Sequence, residues 1–268
     1  MTPLRQQYID DLKLRNFSAS TIKVYVHAVE RFARFLKRSP DHATVEDVKR
    51  FLVAEINRGV SRSYCVIQRN ALRHLFEQTL GRPEQFDSIP RPKRERRLPV
   101  VLSREEIQRL FSVVANIKHK AMLMVAYDAG LRLSEIRHLE IDDIDSQRNV
   151  IRVRQGKGKK DRYTPIGERA LAWIDRYLTE GRPKLTRDAA QRLLFVTNQG
   201  GPMEPNNVSA IVRRYMLKAG VNKAGSCHLF RHTAITLMLE RGADVRHLQE
   251  ILGHSSLATT QVYTHVSI

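Results

Sequence analysis

A mainly α-helical protein of two domains, with one small antiparallel sheet in the second, is the fold class this sequence predicts. Apolar residues recur at helical spacing through most of the chain, while only 149–166 alternates as a β-ribbon does. A basic, proline-bearing stretch at 89–100 divides the chain into two parts, each long enough to bury a core. At roughly 100–200 residues per domain, 268 residues suit one large or two modest domains.

The first part reads as four or five short helices. A short one spans about Leu4–Leu14. Ser18 and Ser20 are cap residues for a segment carrying Ile22, Tyr25, Val29, Phe32 and Leu36 at helical spacing, with Pro40 beyond its end. Thr44 opens T-V-E-D, a cap with acids in the first turn, ahead of Val48, Phe51, Leu52 and Ile56. Gly59 closes that helix, and a third long one is expected from about Ser61 to Leu80. Residues 89–100, IPRPKRERRLPV, hold three prolines and five Lys/Arg against one Glu. Proline restricts its own backbone and that of the residue before it, so an extended linker is expected. The expected boundaries are a helical domain at 1–88, a linker at 89–100 and a second domain at 101–268. In the second part, Ser103 and Glu106 make a capping box for a helix to about Ala115, followed by an apolar helix Ala121–Ala129 ended by Gly130. Ile151 and Val153 alternate with Arg152 and Arg154, QGKGKK forms the ribbon tip, and RYTPI returns. Helices follow near 167–180, 205–219, 228–241 and 244–252, the last with Gly253 as its C′ residue.

The charge identifies a class of partner. Forty-six Lys and Arg against 28 Asp and Glu leave a net +18, which suits a polyanion, and nucleic acid is the commonest one in a cytosol. The basic residues spread along the whole chain, unlike those of a membrane-surface helix. No apolar run approaches the roughly 18 residues of a membrane span, and MTPLRQQYID has no apolar signal core. Cys65 and Cys227 stand far apart and in no CxxC, which argues against a disulfide framework or a cysteine zinc site and for a reducing, cytoplasmic setting. A basic strap at Arg91, Lys93, Arg94, Arg96 and Arg97 suits a chain that wraps a polyanion; a solvated hinge is the other reading.

Four segments hold more polar residues than packing requires. In AGLRLSEI, Arg132 is either a surface residue at a helix start or a desolvated cation. In the ribbon tip, the glycines of GKGKK allow close approach to a backbone, but no Walker loop is present. In CHLFRHTAITLML, His228 and Arg231 share a helix face and suit an anion with a proton to exchange. His228 and His232 are four apart, yet Leu229 stands where a zincin needs Glu, so no metal site is expected. In LGHSSLATTQVYTHV, His254 lies near a helix end, and Tyr263 taken alone reads as packing or surface.

Taken together, these segments resemble the tyrosine recombinase, or phage integrase, family. GLRLSEI is similar to the segment of that family's first arginine, at Arg132; GKGKKDRYTPI to its β-ribbon lysine segment, at Lys157; HLFRH to its His-x-x-Arg motif, at His228 and Arg231; LGHSS to its second histidine segment, at His254; and TTQVYTHV to its strand-attacking tyrosine segment, at Tyr263. SASTIKVYVHAVERFARFL also resembles the start of the family's helical, SAM-like core-binding domain, so the likeness covers nearly the whole chain. It is greatest to compact Xer-type recombinases and small integrases.

The resemblance implies a core-binding domain and a mixed α/β catalytic domain closing on duplex DNA as a C-shaped clamp. It implies site-specific recombination through a 3′-phosphotyrosine intermediate and a Holliday junction, for integration, excision or dimer resolution. Tyr263 would attack, His228 would take its proton, Arg132 and Arg231 would clamp the non-bridging oxygens, His254 would donate a hydrogen bond and Lys157 would protonate the leaving 5′-oxygen. Lys159 and Lys160 would touch backbone phosphate, and Glu135 either orients an active-site cation or is a solvated helix carboxylate. The covalent link keeps the phosphodiester energy, so no cofactor is expected. The implied partners are double-stranded DNA and further copies of the chain, four protomers on two sites in the nucleoid, with a related recombinase as an alternative partner. The chain ends at Ile268, shortly after Tyr263, where many relatives continue into a segment that docks on a neighbour; a replacement segment or a short variant is expected. The arm-site domain of lambda-type integrases is not expected either. Three alternatives stay open: a catalytically silent DNA-binding relative, type IB topoisomerase-like relaxation, and, were the motif order chance, a basic RNA-binding module.

Overall fold

Side-chain caps written into the sequence set most of the helix starts. In the computed structural model, which describes residues 2–86, 88–90, 98–154, 161–186, 188, 190–253 and 260–265, the chain falls into two units, Met1–Arg96 and Arg97–Ile268.

In the first unit α1 (Pro3–Leu14) starts on a proline whose missing N–H is no loss there. Ser18 caps α2 (Ala19–Leu36) by accepting from the Thr21 N–H, and Lys37 ends it in the left-handed region. Thr44 and Asp47 form a reciprocal capping box for α3 (Val45–Asn57), and Ser61 caps α4 (Arg62–His74). The expected unbroken helix to Leu80 differs in its last turn, where Leu75–Thr79 widen into a π-turn closed by the Leu80 N–H on the Leu75 carbonyl. Leu75, Phe76 and Thr79 are all buried, and the wider turn brings all three onto the core side. That core joins Tyr8, Leu12, Phe32, Phe51, Leu72 and Phe76. Buried Glu55 ties three helices, taking Arg31 at 2.8 Å and Gln68 at 2.6 Å.

In the second unit the Ser103–Glu106 capping box opens α5 (Arg104–Ser112), which stops earlier than expected. Asn116 caps α6 (Ile117–Asp128), accepting from the His119 N–H, so α6 begins before the expected Ala121. After the short α7 (Leu133–Arg137), β1 (Ile144–Asp145), β2 (Val150–Val153) and β3 (Arg162–Pro165) form an antiparallel sheet in that order. The ribbon pairs Ile151 with Thr164 and Arg152 with Tyr163, and β1 is a strand the alternation did not announce. Then come α8 (Glu168–Arg176), α9 (Pro205–Lys218), α10 (Cys227–Glu240) and α11 (Val245–Leu252), with Gly253 in the left-handed region as the C′ residue. The main core gathers Leu110, Leu123, Val125, Ile151, Phe195, Val212 and Phe230. A smaller cluster of Ile235, Leu248, Leu252 and Tyr263 joins α10, α11 and the last described turn. Among the described residues, no helix is long and apolar enough to cross a membrane, and no group of three or more His, Cys, Asp or Glu is placed to hold a metal ion.

Candidate active site

The carbonyls at the C-terminal end of α11 are the anchor of the site. A helix leaves its last carbonyls unpaired and partly negative, and they attract cations. Three successive ones each accept from a different arginine. Arg162 Nε donates to Ile251 O at 2.6 Å, Arg231 Nη2 to Leu252 O at 2.6 Å and Arg132 Nη2 to Gly253 O at 3.2 Å. Local sequence brings each arginine there. Gly130, at φ +58, ends α6 and turns the chain so that Leu131 is buried and Arg132 takes the N-cap position of α7. Arg162 opens β3. Arg231 lies on the buried face of α10, only 4% exposed, and its Nη1 also donates to Gly130 O at 2.6 Å.

Glu135 stands beneath the cluster. It caps the Arg132 N–H at 2.8 Å, pairs with the Arg132 guanidinium at 2.8 Å, and takes Arg162 bidentately at 3.0 and 2.9 Å. Burial alone would raise its carboxyl, but the hydrogen bonds and charge of Arg162, then Arg132, outweigh that and bring it down to about 2. Arg231 is pushed down to about 10 by burial, by Arg132 and by Arg162, against the pull of Glu135 and Tyr263. Three guanidiniums against one carboxylate leave excess positive charge, and the Arg132 side chain remains 20% exposed. That combination suits an anion with several oxygens, such as a phosphodiester.

Tyr263 lies in a short 3₁₀ turn, Val262–His265, and is 5% exposed against Ile235, Leu248 and Leu252. Burial raises its phenol, while the charges of Arg231 and Arg132 counter the rise. Its hydroxyl is 2.6 Å from Nδ1 of His232. His228 is exposed at the start of α10, its ring 6.3 Å from that of His232.

The structure thus brings together Arg132, Arg231 and Tyr263, with His228 one turn along α10 from the histidine that touches Tyr263. Lys157 and His254 lie outside the described residues, as do Arg91, Lys93, Arg94, Arg96, Arg97, Lys159 and Lys160. Of the two readings of Arg132, the partly desolvated cation fits, and Glu135 is a buried orienting carboxylate. Arg162 and His232 were not singled out as site residues. Arg162 sits in the returning strand, where an arginine reads as an outward-facing residue. His232 shares a helix face with His228, but that spacing pointed only to a metal.

The family described as "Phage integrase family" matches residues 100–268, and its N-terminal SAM-like domain matches residues 4–85. The chain belongs to the phage integrase family. It is 46% identical over 183 residues to tyrosine recombinase XerC 2 of Ralstonia nicotianae, covering 66% of this chain and 52% of that protein, about half its length. It is 35% identical to tyrosine recombinase XerC of Bacillus subtilis over 94% of this chain and 88% of that one. The crystal structure of the XerH site-specific recombinase bound to its difH substrate matches with TM-score 0.76 over 99% of this chain and 82% of that one, at 23% identity, a likeness of fold. The chain is an enzyme, a site-specific DNA recombinase of the tyrosine type.

Proposed function

We propose that the chain cuts and rejoins double-stranded DNA with Tyr263 as nucleophile. The Tyr263 oxygen bonds to phosphorus, the bond from phosphorus to the 5′-oxygen breaks, and a 3′-phosphotyrosine holds the strand. Arg132 and Arg231 bind the non-bridging oxygens as their charge grows. His228, exposed to solvent, takes the phenol's proton. His254 donates a hydrogen bond to the phosphate and Lys157 protonates the leaving 5′-oxygen. Attack by a second 5′-hydroxyl reverses these steps and releases the tyrosine. Residues 1–88 act as a core-binding domain and residues 101–268 as the catalytic domain on duplex DNA. Residues 89–100 are a basic strap in which Arg91, Lys93, Arg94, Arg96 and Arg97 contact phosphate, with Lys159 and Lys160 doing the same from the ribbon tip. Four protomers on two sites in the cytoplasmic nucleoid exchange strands through a Holliday junction.

The observation that carries this reading is the buried Arg231, whose charge, with that of Arg132, acts on the Tyr263 phenol. The test is a nicked duplex carrying the target site, run on a denaturing gel. A DNA-linked protein band should form with the wild type and vanish in Tyr263→Phe, while both bind the site equally. No band from the wild type would favour a silent relative, and relaxation of any supercoiled plasmid by monomers would favour a topoisomerase.

A further inference from the structure

One side chain in the site has no part in the chemistry proposed above. His232 is on α10, one turn after His228 and next to Arg231. Its Nδ1 lies 2.6 Å from the Tyr263 hydroxyl, and the two rings are 5.5 Å apart and tilted by 39°. Tyr263 packs on Ile235, Leu248 and Leu252, and Thr236, four residues along α10 from His232, donates its hydroxyl to the His232 carbonyl at 3.0 Å.

A phenol O–H rotates about its C–O bond, so a buried hydroxyl takes the direction its acceptor sets. Burial, then the charges of His228 and Arg231, lower the His232 imidazole to about 4. At neutral pH the ring is therefore uncharged and has one nitrogen free to accept. A base that weak aligns a phenol without keeping its proton. It also adds no positive charge to a site already crowded with guanidiniums.

We infer that His232 is a positioning residue for the nucleophile: its Nδ1 accepts the hydrogen bond of Tyr263 and aims the hydroxyl at the phosphate bound by Arg132 and Arg231. This rests on the recombinase reading above. The hydrogen bond gives way as the oxygen bonds to phosphorus and the proton passes to the exposed His228.

The experiment is single-turnover cleavage of a nicked target duplex by the whole chain. His232→Leu removes the acceptor and should slow cleavage by about 10- to 100-fold, the cost of a misaligned reacting group, at unchanged DNA affinity. His232→Asn keeps an acceptor at the δ position and should restore the rate to within a few-fold of wild type. Wild-type or faster cleavage by His232→Leu overturns the inference, as does His232→Asn performing no better than His232→Leu. Should His232→Leu not fold, ¹⁵N NMR of the histidine rings decides. Tyr263→Phe should shift the His232 Nδ1 resonance, and an unmoved resonance overturns the inference. A wild-type chain that forms no covalent adduct defeats the recombinase reading instead, and the NMR comparison still reports on the contact by itself.

Discussion

Glu135 couples the stability of the site to pH. Its carboxyl sits at about 2 in the folded chain against an ordinary 4.5, so the stabilisation is fully present above pH 4.5 and is lost as pH falls through about 2. The difference is on the order of 3 kcal/mol. Chemical denaturation between pH 7 and pH 3 should show the larger part of that loss, which is complete only below about pH 2. Glu135→Gln should remove this carboxylate's share of the pH dependence and should destabilise the chain already at pH 7, because Arg132 and Arg162 lose their shared counter-charge. Arg231 has a structural task as well as the proposed chemical one. Arg231→Ala strands the carbonyls of Gly130 and Leu252, each worth about 1–3 kcal/mol when buried without a donor. The variant should lose cleavage, keep site binding, and melt several degrees below wild type. An unchanged melting temperature would show that the two carbonyls find other partners.

At the level of elements, α4, in the first unit, carries a second pH-dependent feature. His74 lies edge-on to Tyr8 at 5.5 Å and to Phe17 at 5.4 Å, and neither of its ring nitrogens has a hydrogen-bond partner. Burial, then the Arg15 charge, lowers its pKa. The folded first unit therefore binds fewer protons than the unfolded chain, and it loses stability as pH falls below the ordinary 6.5. His74→Phe should flatten the fall in melting temperature between pH 7 and pH 5; a slope equal to wild type would place the titration elsewhere. The same scale shows what is legible from local chemistry. The caps at Ser18, Thr44, Ser61 and Ser103 set helix starts because a cap and its first turn are neighbours in sequence. Asn116 was the same kind of signal, missed because the apolar pattern of α6 strengthens only after it. The π-turn at Leu75–Thr79 answers to core partners distant in sequence, such as Tyr8 and Phe32, and β1, two residues paired with nearby β2, is too short for an alternation to announce it.

Across the whole molecule, a net charge of +18 makes association with DNA salt-sensitive. Neutralising Arg94, Arg96 and Arg97 together should weaken binding and flatten the plot of log affinity against log salt by about 0.9 per lost phosphate contact. A slope equal to wild type would remove the strap from the interface. The sequence by itself determined the helix-rich fold class, the sheet's two longer strands, the polyanionic partner and the order of the motifs, because periodicity, capping, charge and spacing are local properties. Only the tertiary structure decided that Arg162, Arg231 and Arg132 converge on three consecutive carbonyls, that Glu135 is buried among them, and that the histidine touching Tyr263 is His232. The three arginine–carbonyl contacts and the His232–Tyr263 contact join residues 21 to 121 positions apart. Packing brings such groups together, and no spacing rule along the chain encodes it.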